Sequence, residues 1–147
     1  MDEEERGSGP VQDKAAWVSA TETREVKSQN WWNAGRTRGA EYVRRQRGRD
    51  DKVVAYVLGN RCKVRPPCEI TFIRLSSGTL DDDNLQGGFK HIRDGFCAGL
   101  MQMPLGRRVG DADAIPGLVF KYSQEKCKRG YHAFRIEVAS VSNGDEV

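Results

Sequence analysis

Long apolar runs are missing from this chain of 147 residues. No stretch approaches the roughly 20 apolar residues that a bilayer-spanning helix needs, which excludes a helical membrane protein. The opening residues MDEEER have neither the basic start nor the apolar middle of a secretory signal, so a cytoplasmic protein is expected. Cysteine is scarce and badly spaced for metal. Cys62, Cys68, Cys97 and Cys127 form no C-x-x-C pair and have no histidine doublet nearby, so structural zinc is not expected and free thiols are. Only two histidines occur, His91 and His132, well separated in sequence. Length alone excludes a multidomain enzyme. The 37% of hydrophobic residues, supplemented by 16 glycines, allows a real core and excludes global disorder.

Net charge is also small, +3 from 24 basic and 21 acidic residues, but its distribution is uneven. The first six residues hold four acids against one arginine, and Asp145 and Glu146 close the chain, which leaves a formal +8 between the two ends. Six arginines fall between Arg36 and Arg49 (Arg36, Arg38, Arg44, Arg45, Arg47, Arg49) with Glu41 and no other acid. Such density suits a polyanion, because each cation that meets a phosphate also releases condensed counterions. A solvated arginine-rich helix face would read the same way.

Residues 1–28 are polar and weakly periodic and are expected to form a tail, with Trp17–Ala20 or Glu25–Lys27 as an edge strand. Residues 29–140 hold the domain, and 141–147 form an acidic C-terminal tail. Tyr42, Val43, Val53, Val54, Val57 and Leu58 predict a long helix over 38–58, interrupted near Gly48. Pro66 and Pro67 stop helix continuation, and the alternation in CEITFIRL, residues 68–75, predicts a half-buried strand with Ile70, Phe72 and Arg74 on one side. Leu85, Phe89, Ile92, Phe96 and Leu100, spaced four, three, four and four, predict one amphipathic helix over 80–100 whose start is marked by the capping side chains Asp81 to Asn84. Residues 117–124 and 131–141 predict an antiparallel hairpin around a polar KCKRG turn. The order helix, strand, helix, strand, strand indicates an α/β (α+β) fold: a single domain with a small mixed sheet covered by helices.

Acids concentrated inside a basic domain call for a reason. Asp81, Asp82 and Asp83 are consecutive, and Asp111 and Asp113 follow the helix. A divalent cation would reconcile the two charges, with hard carboxylate oxygens holding Mg²⁺ while arginines hold a nucleic-acid backbone. On a turned backbone Asp81 and Asp83 aim at one point, and Asp82 faces outward or caps the helix. Helical spacing then sets Asp83, Lys90 and Asp94 on one face with Gly87 between them, which puts a lysine where charge would develop on a scissile phosphate. An acidic N-cap cluster and a surface Lys–Asp pair explain the same residues without any ligand.

The segment LDDDNLQGGFKHIRDGF resembles the RusA family of Holliday junction resolvases, in particular its divergent phage and prophage members. In that family an Asp-x-Asp-Asn-Leu motif opens a helix after a strand, and here it reads Asp81-Asp82-Asp83-Asn84-Leu85. The resemblance is close from Arg74 to Phe96 and extends over about residues 28–139. It implies a small homodimeric endonuclease that uses Mg²⁺, or Mn²⁺ in its place, to cut four-way DNA junctions symmetrically. It also implies Asp81, Asp83 and Asp113 as metal ligands, with Asp111 the substitute for Asp113. The family lysine falls where this chain has Gly87, so Lys90, one turn later, takes its role. Arg36, Arg38, Arg44, Arg45, Arg47 and Arg74 would contact phosphates. A DNA-binding module without the chemistry and a phage accessory protein are the alternatives.

Overall fold

The structure, a computed structural model, describes residues 16–34, 37–104 and 115–141. Its fold is α+β, a small single domain. Among the described residues four strands form one mixed sheet: β1 (Trp17–Val18), β2 (Cys68–Ser76), β3 (Leu118–Lys126) and β4 (Ala133–Ser140), in the order β1-β4-β2-β3. Four helices accompany them: α1 (Gln29–Asn33), α2 (Arg38–Arg61), α3 (Asp82–Gly88) and α4 (Lys90–Leu100). No helix among the described residues is long and apolar enough to cross a membrane.

The expected C-terminal hairpin is not formed. β3 and β4 lie on opposite sides of β2, parallel to it in the first case and antiparallel in the second. Strand composition explains the arrangement. CEITFIRLS is buried along almost its whole length and gains most from partners on both edges, whereas LVFKYSQEK alternates half-buried and exposed positions and suits an edge. The connection over 127–132 passes the end of β2, where the Cys127 N–H donates to the Ser76 carbonyl at 2.9 Å. Parallel pairing of β2 with β3 requires a long crossover, which α3 and α4 supply.

The expected helix over 80–100 is two helices. Phe89, with φ −89° and ψ 3°, separates α3 from α4, and its ring is fully buried. In contrast α2 runs unbroken through Gly48, and Thr37 caps it by accepting a hydrogen bond from the Ala40 N–H. Gly48 is there for space: the His91 ring sits against its Cα. The pattern continues at four-residue steps, with Gly95 against the Lys52 carbonyl and Gly99 against the Tyr56 carbonyl, so α2 and α4 run side by side in the same direction with backbones in contact. The core lies between this helix pair and the sheet. Phe72 is at its centre, 5.4 Å from Phe89, 6.3 Å from Phe96 and 5.7 Å from Tyr122 between ring centroids.

Residues 16–28 pack on the domain, and the edge strand expected at Trp17–Ala20 forms over its first two residues. Trp17 and Val18 pair with β4 as an edge strand, Glu22 bridges to Phe134, and Val26 is buried. Glu25–Lys27, the other candidate, belongs to no strand. Asp51, only 2% exposed, fixes this strap to α2: Arg24 Nε donates to it at 2.8 Å and Arg47 Nε at 3.1 Å, while Arg47 also donates to the Glu25 carbonyl.

His91 lies 4.5 Å from Trp32 between ring centroids, and its Nδ1 is buried with no hydrogen-bond partner among the described residues. Burial first and the Lys52 charge second push its pKa below the usual histidine value, against the pull of Asp51 and Asp94. The unfolded chain therefore takes up a proton at this residue before the folded one does. His91 contributes its stability in full above about pH 6.5, and that contribution falls as pH drops below this value toward the lowered folded pKa. Urea melts at pH 7 and pH 5 should show a loss that shrinks in His91→Gln. An unchanged difference between the two pH values would count against this origin.

Candidate functional site

The acidic motif stands where the central strand hands the chain to a helix. After β2 ends at Ser76, the turn through Gly78 and Leu80 is clamped from two sides. Gln124, the β3 residue in register with Arg74, accepts from the Leu80 N–H at 2.9 Å and donates to the Leu80 carbonyl at 2.8 Å. Arg74 reaches across to the Gly78 carbonyl at 3.0 Å and to Gln124 Oε1 at 3.2 Å. The chain is thus delivered to Asp81 in a fixed direction.

Asp81 caps α3. Its Oδ1 accepts from the Asn84 N–H at 2.9 Å and from Asn84 Nδ2 at 3.2 Å, and its Oδ2 lies 3.3 Å from the same Nδ2. The other end of the Asn84 amide accepts from the Asn30 N–H at 2.9 Å, which ties α1 to the motif. The cap therefore falls to Asp81, not to Asp82. Asp82 lines a shallow recess of about 310 Å³ with Leu85 and Gln86 of α3 and Phe120, Lys121 and Tyr122 of β3. Asp83 is exposed.

Replacing Asp81 by Ala removes a helix cap, and thermal unfolding should register about 1 kcal/mol of lost stability. Asp81→Asn keeps an acceptor and should lose only a few tenths. Asp83→Ala, on an exposed side chain, should stay within about 0.5 kcal/mol of the parent. Equal losses at Asp81 and Asp83 would show that capping is not what distinguishes them.

Lys90 is on α4, beyond the Phe89 break, where Nζ pairs with Asp94 at 3.2 Å. It is one turn of a different helix, so the single face expected for Asp83, Lys90 and Asp94 exists only for the last two. Asp111, Asp113 and Arg36 lie outside the described residues. Among the described residues no three acids, histidines or cysteines gather into a group that could hold a metal ion. What the motif offers by itself is a donor set of the right kind for a hard divalent cation, two exposed carboxylates at one corner, of which Asp81 retains lone pairs after capping.

The arginines divide. Arg38 and Arg45 are exposed on α2, and Arg44 is half-buried. Two do not serve the phosphate-contacting role expected of them. Arg74 is 8% exposed and committed to the turn described above, with burial lowering its pKa against the charge of Glu25. Arg47 is committed to Asp51 and the Glu25 carbonyl. Cysteine chemistry is absent from the motif: none of the four cysteines is in a disulfide, and burial, with Cys62 next, pushes Cys68 up to about 11.

Sequence reasoning placed Asn84 at the capped start of the helix but overlooked Gln124, which holds the turn before the motif. Gln124 carries no signal until the parallel register of β2 and β3 is known. No family model matches this chain, and no curated protein or solved structure matches it either.

Proposed function

We propose that this chain is a metal-dependent endonuclease that cuts branched DNA, four-way junctions in particular, as a homodimer. The observation that carries the reading is the position of Asp81-Asp82-Asp83-Asn84-Leu85. It occupies the strand-to-helix corner of the β2–α3–α4–β3 unit, beyond the carboxyl end of the central strand, where such units present their ligands. The resemblance of that motif to the RusA family supplies the reaction class.

In this reading Asp81 and Asp83, with Asp113 or Asp111, hold Mg²⁺ or Mn²⁺, which when bound polarises the scissile phosphate and activates water. Lys90 offsets charge on the phosphate; its surface pair with Asp94 is worth little and is readily exchanged. Arg38 and Arg45, with Arg36 preceding the helix, take backbone phosphates, so selection rests on junction shape more than on sequence. A cytoplasmic, phage- or prophage-encoded setting fits this role.

One observation favours a second reading, a DNA-binding module without chemistry: the Asp81 carboxylate is engaged as the cap of α3. Incubating a labelled four-way junction with the protein separates the two. Paired nicks in Mg²⁺ that vanish in EDTA support the nuclease. Salt-sensitive binding in EDTA without cleavage in any divalent ion supports the binding module.

A further inference from the structure

The outward face of α2 is unexplained by anything above. Six large apolar side chains are exposed among the described residues, and four of them are on this one helix: Tyr42 (60%), Val43 (55%), Val53 (44%) and Val57 (41%). The other two, Val18 and Val119, are single residues on β1 and β3, the opposite edge strands of the sheet. At 3.6 residues per turn the four project within about a 100° arc over about 22 Å of helix, with Gln46 between them. The opposite side of the helix buries Gly48, Asp51, Ala55, Leu58 and Gly59 against the rest of the domain. Isolated exposed valines need no explanation, whereas a stripe on one helix face does.

Charge indicates what covers it. Midway along the helix, exposed Arg49 lies on one side of the line through Gln46, Val53 and Val57 and exposed Asp50 on the other, at nearly the same height. Two copies of α2 that run in the same direction about a two-fold axis bring the Arg49 flank of each against the Asp50 flank of its partner. That makes two opposite-charge contacts around a seam in which Val53 and Val57 meet their own copies. Antiparallel copies would set Asp50 against Asp50 and Arg49 against Arg49.

We propose that the outward face of α2 docks a second copy of this chain through a parallel, two-fold α2–α2 seam. The proposal gives a surface to the homodimer of the functional reading and rests on nothing else in it. Sedimentation equilibrium of the full chain tests it. The parent protein should be dimeric, and Val53→Glu/Val57→Glu should sediment as a monomer with unchanged circular dichroism. Arg49→Asp should weaken the dimer about tenfold or more, and adding Asp50→Arg should restore it, because the exchanged pair is again complementary. In the cross-linking arm, Gln46→Cys and Val57→Cys should each form a disulfide with itself, mapped by mass spectrometry. Disulfides only in a mixture of the two variants would overturn the parallel seam. A dimer that survives Val53→Glu/Val57→Glu would overturn this surface and leave the homodimer standing. A parent protein that is monomeric at all concentrations would overturn both, leaving the face to a different partner, and would not touch the cleavage chemistry.

Discussion

Asp51→Ala should cost this protein about 3 kcal/mol or more, at the lower end of what removing one partner of a buried ion pair usually costs. The carboxylate is 2% exposed, and two guanidiniums converge on its Oδ1 at 2.8 and 3.1 Å. Removing it leaves Arg24 and Arg47 facing one another without the carboxylate that both bind. Their side chains are 27% and 21% exposed, so water relieves part of the penalty, which is why the lower end of the range applies. The loss has a structural address. Arg24 belongs to the strap and Arg47 to α2, so the strap from Glu22 to Ser28 should loosen first, exposing its backbone hydrogen bonds to exchange. Urea denaturation gives the magnitude, and amide exchange on 22–28 gives the location. A loss under about 1 kcal/mol, or exchange spread evenly over the domain, would refute the role assigned to this triad.

Gly95→Val should be at least as damaging. A side chain at position 95 would overlap the Lys52 carbonyl and Cα, which are backbone atoms of α2 and cannot rotate away. Overpacking usually costs about 1–3 kcal/mol, and the upper part of that range or beyond applies where the obstacle is another helix. Accommodation would require α4 to move off α2, and α4 carries Ile92, Phe96 and Leu100 into the core beside Phe72. The expected outcome is a chain that fails to unfold cooperatively on heating, while Gly39→Val, with open space around its Cα, folds normally apart from a small change at the start of α2. Cooperative unfolding of Gly95→Val within about 1 kcal/mol of the parent would show that the helices are not in backbone contact.

Much of the fold was legible from periodicity, and the errors have physical causes. The apolar spacing from Leu85 to Leu100 marked a buried face correctly, but spacing survives a one-residue kink, so Phe89 as a break was invisible. Gly48 suggested interruption on propensity, whereas tertiary contact with His91 holds that part of α2 helical. The two C-terminal strands alternated as a hairpin would. Their separation by β2 follows from the competition of all strands for central positions, which no local pattern records. At the motif, the strand-then-acids order was readable, while the division of labour among Asp81, Asp82 and Asp83 depended on which carboxylate faced the Asn84 N–H. Alternation placed Arg74 on the side of Ile70 and Phe72, but its partners at Gly78 and Gln124, which close the turn, were not readable from the strand pattern.

The acidic corner as a metal-dependent cutting site is the centre of this account, and Asp83 is its cleanest probe because it is exposed and caps nothing. The decisive measurement is single-turnover cleavage of a labelled four-way junction in Mg²⁺ by the parent protein and by Asp83→Asn, alongside junction binding in EDTA. Expected are paired nicks from the parent, a loss of about 100-fold or more in Asp83→Asn, and binding by that variant equal to or tighter than the parent's. Full cleavage by Asp83→Asn, or no cleavage by folded parent protein that binds the junction, would contradict it.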